Sequence, residues 1–219
     1  MKRIAFILVF LIICVAISYT MFRKNTQEPL PIINPTDLKK ELVDPELLAV
    51  GQGHTIGNFS FTNQDGKTIT QKEIENKVFV AEYFFSTCKS ICPIMNQQMQ
   101  RIQKQFKGNN NIKLLSFTVD PEIDNAETLK AYASQHGYEK GQWHFLTGSK
   151  SSLYSLARKS FFVLKPSEAT NIGDAGSDFI HTNNFVLVDK KKRIRGYYDG
   201  TNPAEITELI QDIELLLNE

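Results

Sequence analysis

Hydrophobic and polar positions change their spacing several times along this chain, and each change predicts an element. Ile4 to Phe22 carries no charge and is closed at both ends by basic residues, Lys2-Arg3 and Arg23-Lys24. As a helix this run spans roughly 28 Å at about 1.5 Å per residue, close to the roughly 30 Å hydrocarbon core of a bilayer. It exceeds the usual apolar core of a signal peptide and lacks a small-x-small cleavage pattern after it. Leu11-Ile12-Ile13 also lacks the small residue that lipid attachment at Cys14 would want. Residues 1–24 are therefore expected to form an uncleaved single transmembrane helix that leaves the rest of the chain on the outer, periplasmic-type face. Residues 25–48 hold four of the eight prolines and have little periodicity. They read as a tether, with an extension packed on the domain as the alternative.

From residue 49 to 219 the pattern is that of one folded domain. Phe59 to Thr70 alternates across an Asp65-Gly66 turn, a hairpin signal. Val78 to Phe85 and Ile112 to Val119 are nearly continuous apolar runs, as in central strands buried on both faces. Between them, Met95, Met99, Ile102 and Phe106 recur at helical spacing before Gly108. Helices are also expected over 125–136 and 151–161, with a short strand over 143–146 between them. A second hairpin joins 185–188 to 194–198 around a lysine-rich turn. Asn202-Pro203 opens a last helix with Ile206, Leu209, Ile210, Ile213, Leu216 and Leu217 as its buried stripe.

This order of hairpin, β-α-β, α, β-α, hairpin and α is an α/β arrangement. It predicts a thioredoxin-like central mixed sheet flanked by helices, with an added N-terminal hairpin.

Composition narrows the class further. Hydrophobic residues make up 42% and charged residues 22%, a globular balance, and a net charge of +1 gives no global attraction to nucleic acid. Of three cysteines, only Cys88 and Cys92 belong to the domain, too few for a disulfide scaffold.

Those two cysteines sit in FFSTCKSICPIM, at the end of one expected strand and the start of a helix. Ligands of open α/β sheets gather at the carboxyl ends of strands. A helix N-terminus favours the thiolate, the form that binds metal and attacks disulfides. Three residues separate the cysteines, where disulfide oxidoreductases of this fold usually have two, and the wider spacing can bring both sulfurs to one ion. Soft thiolates select Cu(I), or less specifically zinc, and a third donor must come from elsewhere. His54 lies in an uninformative glycine-rich lead-in, His136 reads as a solvated helix end, and His144 as a half-buried structural residue. His181 follows the 166–180 loop and shortly precedes a strand, at a position that faces the cysteine loop in such a sheet. Met95 and Met99, four apart on a helix, read as core. Asp120-Pro121-Glu122-Ile123-Asp124 reads as a strand-end turn on the same rim, with partner docking or support of the site as the alternative.

Together, residues 84–95, 117–124 and Asp178-x-x-His181 resemble the Sco/SenC family of copper-binding proteins of cytochrome c oxidase assembly. The resemblance covers about 53–219. It implies binding of one copper ion, Cu(I) or Cu(II), through Cys88, Cys92 and His181. It also implies a role as a metallochaperone receiving copper from an upstream donor and delivering it to a terminal oxidase subunit with a CuA site. Two departures stand out: Lys89 where many members have Pro, and Ile180 where Asp often precedes the histidine. The second leaves Asp178 as a weaker candidate to orient the imidazole. The alternative from the same residues is an enzyme, a thiol–disulfide oxidoreductase that uses Cys88 and Cys92 to reduce the oxidase's metal-binding cysteines. A peroxide-reducing module ranks last, because its Pro-x-x-x-Thr-x-x-Cys signature is absent.

Overall fold

The computed structural model describes residue 3 and residues 10–15, 17–18, 29–40, 43–49, 51–163 and 182–219, in two units divided at residue 30. In the first unit, residues 10–15 and 17–18 are helical, and Phe10, Leu11, Ile12, Ile13, Val15 and Ile17 are exposed. Most of the anchor expected over 1–24 lies outside the described residues. Among the described residues no helix is long and apolar enough to cross a membrane.

The second unit is built on strands β1 (Ser60–Asn63), β2 (Thr68–Thr70), β3 (Val78–Phe84), β4 (Ile112–Thr118), β5 (Trp143–Thr147), β6 (Asn184–Val188) and β7 (Ile194–Asp199). Its helices are α1 (Cys92–Gln105), α2 (Ala126–Gln135), α3 (Lys150–Lys159) and α4 (Pro203–Asn218). The strands form one mixed sheet in the order β2-β1-β5-β4-β3-β6-β7. β3, β4 and β5 run parallel, with Tyr83 beside Phe117 and Phe117 beside Leu146. These three lie in the middle and are buried along their whole length, which is why their sequences are continuous rather than alternating apolar runs. The hairpin β1–β2 adds antiparallel to β5, and the hairpin β6–β7 adds antiparallel to β3.

Alternate residues of β3 go to opposite faces. Phe79, Ala81 and Tyr83 join Leu115, Phe117 and Leu146 in a core completed by Leu153, Leu156 and Ala157 of α3. On the other face, Phe84 stacks on Tyr132 of α2 at 5.3 Å, and α1 packs against α4. Met95 and Met99 are fully buried in α1, as their spacing predicted. In α4, Ile206, Leu209, Ile213 and Leu216 are buried, but Ile210 and Leu217 are only half-buried at the edges of the stripe. Local caps set the helix ends: Asn125 accepts from the N–H groups of Glu127 and Thr128, and Asn202 from that of Ala204. Gly137 stops α2 at φ 61°, a backbone state that costs glycine little.

The proline-rich lead-in follows the packed alternative over residues 31–49. Ile33 bridges to Ile194, the Gly53 N–H donates to Asn34 Oδ1 at 3.0 Å, and Val43 is buried in the core. Arg195, 3% exposed, holds this extension. Its Nε donates to the Pro31 carbonyl at 3.0 Å, and its Nη1 reaches Asp189 at 3.1 Å and Glu219 at 2.8 Å. One guanidinium thus ties the lead-in, the last hairpin and the end of α4 together. The lysine-rich turn is likewise less solvated than expected, because Lys190 donates to the Leu217 carbonyl and Arg193 pairs with Asp189.

Removing one partner of a buried charge network leaves the other uncompensated, at a cost of roughly 3–5 kcal/mol. Arg195→Ala should therefore destabilise the domain by about 3 kcal/mol, the low end, since Asp189 keeps Arg193. Burial raises the Asp189 carboxyl, but its bonds to Arg193 and Arg195 outweigh this and hold it below the ordinary range. Stability from such a depressed group is present above the unfolded value of about 3.9 and is lost as pH falls through the folded one. In urea melts the gap between wild type and Arg195→Ala should be full at pH 7 and narrow below about pH 4.

Candidate metal centre

β3 delivers the cysteine loop to the carboxyl end of the parallel strands. The Cys88 N–H donates to the Phe85 carbonyl at 3.2 Å, so residues 85–88 make one tight turn. Cys88 is half-buried, and its sulfur lies 3.6 Å from Ser90 Oγ. Cys92 opens α1 with Pro93 behind it, and Ile91, in the capping position, offers no side-chain acceptor. Ile94 and Met95 give their N–H groups to the Ile91 carbonyl, at 3.0 Å each, and Pro93 has none, which leaves the Cys92 N–H for the Cys88 sulfur. Cys92 is buried at 3% exposure.

The two thiols act on each other and differ sharply. Burial raises the Cys88 thiol, but hydrogen bonds from the Cys92 thiol and backbone N–H, and from Ser90, outweigh it and bring Cys88 down to about 7. Burial, and the proton Cys92 donates to Cys88, push Cys92 up to about 12 despite a bond from the Phe85 backbone. Cys88 is thus the thiolate near neutral pH, and Cys92 holds its proton until a stronger bond to its sulfur forms. Such a pair can attack a disulfide through Cys88 and resolve it with Cys92, or offer two soft sulfurs to one cation.

Glu82 is a feature that the sequence reading passed over. It is 1% exposed, accepts from Ser116 Oγ at 2.5 Å, and Ser116 in turn accepts from Trp143 Nε1 at 2.8 Å. Burial outweighs the Ser116 bond and raises its carboxyl to about 7. Its charge adds to the forces that keep Cys92 protonated. The signal was present: Glu82 is the one acid inside an apolar run.

The histidines divide as their chemistry requires. His54 Nε2 lies 2.9 Å from the Ser160 carbonyl with its ring against Phe162. Phe162 has φ 53°, a left-handed state that costs an L-residue roughly 1–2 kcal/mol and is held here by burial. His136 caps the end of α2, its ring tilted against that of Tyr132 at 4.4 Å. His144 is buried, not half-buried as expected, between Asn63 at 3.2 Å and Glu73 at 3.6 Å. None of the three joins the cysteines, and among the described residues no cluster of three metal-ligating side chains occurs. His181 and Asp178 lie outside the described residues. Thr182, the next residue, is buried, its hydroxyl accepts from the Asn184 N–H at the start of β6, and β6 pairs with β3 from Ala81–Val186 to Phe79–Val188.

Known proteins match this chain at the level of both sequence and fold. The sequence pattern of the SCO1/SenC family matches residues 49–218. The SCO1 protein homolog of Bacillus subtilis is 33% identical over 160 residues, 71% of this chain and 79% of that protein. A SCO1/SenC family lipoprotein from Bacillus anthracis shares the fold with a TM-score of 0.65 and 30% identity, over 75% of this chain and 95% of that one. BsSco, a Sco-family cytochrome c oxidase assembly protein with a disulfide switch, gives 0.64 at 30% identity, over 75% and 94%.

The unequal thiols set a clear expectation. Alkylation of Cys88 by iodoacetamide should rise with pH to half its limit near pH 7, while Cys92 stays unmodified up to pH 9, as read by peptide mass spectrometry.

Proposed function

The chain belongs to the SCO1/SenC family, and from that premise we propose that it carries one copper ion on Cys88, Cys92 and His181 and delivers it to the CuA site of a terminal oxidase. The reading is carried by the placement of Cys88 in the turn after β3 and Cys92 at the start of α1, with the Cys88 thiol drawn down to about 7. Two thiolates and one neutral imidazole give a site charge of −1 with Cu(I) and 0 with Cu(II), so neither oxidation state is strongly rejected. Cys88, the more exposed sulfur, is the first ligand to engage and the one a partner's thiol displaces first. His181 supplies the third donor. The direct pairing of β6 with β3, the strand that leads into the cysteine turn, supports that assignment, since His181 lies three residues before β6.

A second reading has its own support. A low-pKa thiol beside a buried, high-pKa one is the division of labour of a nucleophile and a resolving thiol, and BsSco has a disulfide switch. In this reading the protein reduces the oxidase's cysteines before copper arrives. The apolar run of residues 4–22, in which Phe10, Leu11, Ile12, Ile13, Val15 and Ile17 are exposed, holds the domain at the outer membrane face, and the Bacillus anthracis relative is a lipoprotein.

His181→Ala separates the two. It should weaken Cu(I) binding by more than the roughly 10- to 100-fold that loss of a supporting hydrogen bond costs a metal site. Reduction of the Cys88–Cys92 disulfide by dithiothreitol should stay at the wild-type rate. Equal loss of both properties, or of neither, counts against His181 as ligand.

A further inference from the structure

Asp124 is fully buried, yet among the described residues no cation pairs with it. Its partners are all neutral donors that converge from two elements. The Ser86 N–H lies 3.1 Å from Oδ2, the Ser86 hydroxyl donates to Oδ1, and the Thr118 hydroxyl donates to Oδ2. Burying a carboxylate is expensive; the bonds from Ser86 and Thr118 offset part of that cost, and burial still holds the carboxyl above its ordinary range. Helix capping does not explain the acid, because the neighbouring Asn125 already caps α2. Nor does the turn that presents it, since residues 120–124 close on their own through the Ile123 and Asp124 N–H groups to the Asp120 carbonyl.

What the carboxylate does hold is Ser86. That residue sits inside the 85–88 turn, two positions before Cys88, and the clamp joins it across 38 residues to the end of β4. We propose that Asp124 is a positioning residue for the dithiol: by fixing Ser86 on both its N–H and its hydroxyl, it sets where the Cys88 sulfur stands relative to Cys92. The inference rests on the reading of Cys88 and Cys92 as the working pair. Without the clamp the turn keeps its internal bond but gains freedom to swing, and the two sulfurs meet less often. Disulfide formation, in which the two thiols give two electrons and two protons to oxidised glutathione and yield two reduced glutathiones, then becomes less favourable. Copper capture by both sulfurs weakens for the same reason.

The test uses the full chain in detergent micelles, with three readouts: thermal midpoint, free-thiol content in glutathione buffers, and Cu(I) competition against a chromophoric chelator. Asp124→Asn and Asp124→Ala should shift the glutathione equilibrium about tenfold toward the dithiol and weaken copper binding by about tenfold or more. Ser86→Ala, which keeps the backbone bond, should shift both in the same direction by less. Ile69→Ala, a core truncation on the edge strand β2, should lower the thermal midpoint and leave both thiol readouts unchanged. If Asp124→Ala does not fold, Asp124→Asn and Ser86→Ala decide. Folded forms of these two with the wild-type glutathione equilibrium would overturn the proposal, as would an equal shift in Ile69→Ala. A wild-type chain that fails to bind copper, while Asp124→Asn still shifts the dithiol equilibrium, would remove the copper reading and leave the positioning role standing.

Discussion

One interaction organises the chemistry of this protein: two thiols set where the β3 turn meets α1 draw each other's proton affinity apart, Cys88 down and Cys92 up. Buried at the first turn of α1, Cys92 stays protonated and stabilises its half-exposed neighbour as a thiolate. The pair becomes unequal by placement alone, with one sulfur presented to solvent and the other kept behind it. Everything else in the site serves that interaction. The buried ends of β3 and β4 fix the turn before Cys88, the Cys92 N–H faces the Cys88 sulfur, and Glu82 adds negative charge that opposes a second thiolate.

The fold supplies this arrangement through its parallel centre. Three strands buried on both faces end together, and their carboxyl ends leave a rim on which a loop can be held rigidly. The antiparallel hairpin β6–β7 brings the chain back to β3 on the side away from β4. Far from that rim, Arg195 closes the opposite seam by joining lead-in, hairpin and C-terminal helix. The carrier and the oxidoreductase readings therefore share one scaffold. They differ only in whether a third donor completes the pair.

Elements with a strong period or a sharp cap were legible in the sequence. The apolar runs of β3 and β4, the Asn125 and Asn202 caps and the Asp65-Gly66 turn are local signals, and each element lies within a residue or two of its expected place. The cysteine loop was legible for the same reason, as a motif between a strand and a helix. What was not legible depends on pairings across the chain. Prolines suggested a tether over 25–48, but a buried Val43 and the Pro31 bond to Arg195 come from distant partners that no local pattern encodes. Asp124 stood out as part of an acidic turn, yet its inward aim at Ser86 is visible only once β3 and β4 are side by side. Glu82 hid in plain view because a lone acid in an apolar run has no periodic signature.

The central claim is that two sulfurs of one chain converge on a single soft cation. Copper X-ray absorption of the anaerobically loaded chain tests it most directly. The account predicts one copper per chain with two sulfur scatterers and one nitrogen. A shell of nitrogen and oxygen without sulfur, or an unchanged spectrum after Cys88→Ser, would contradict it.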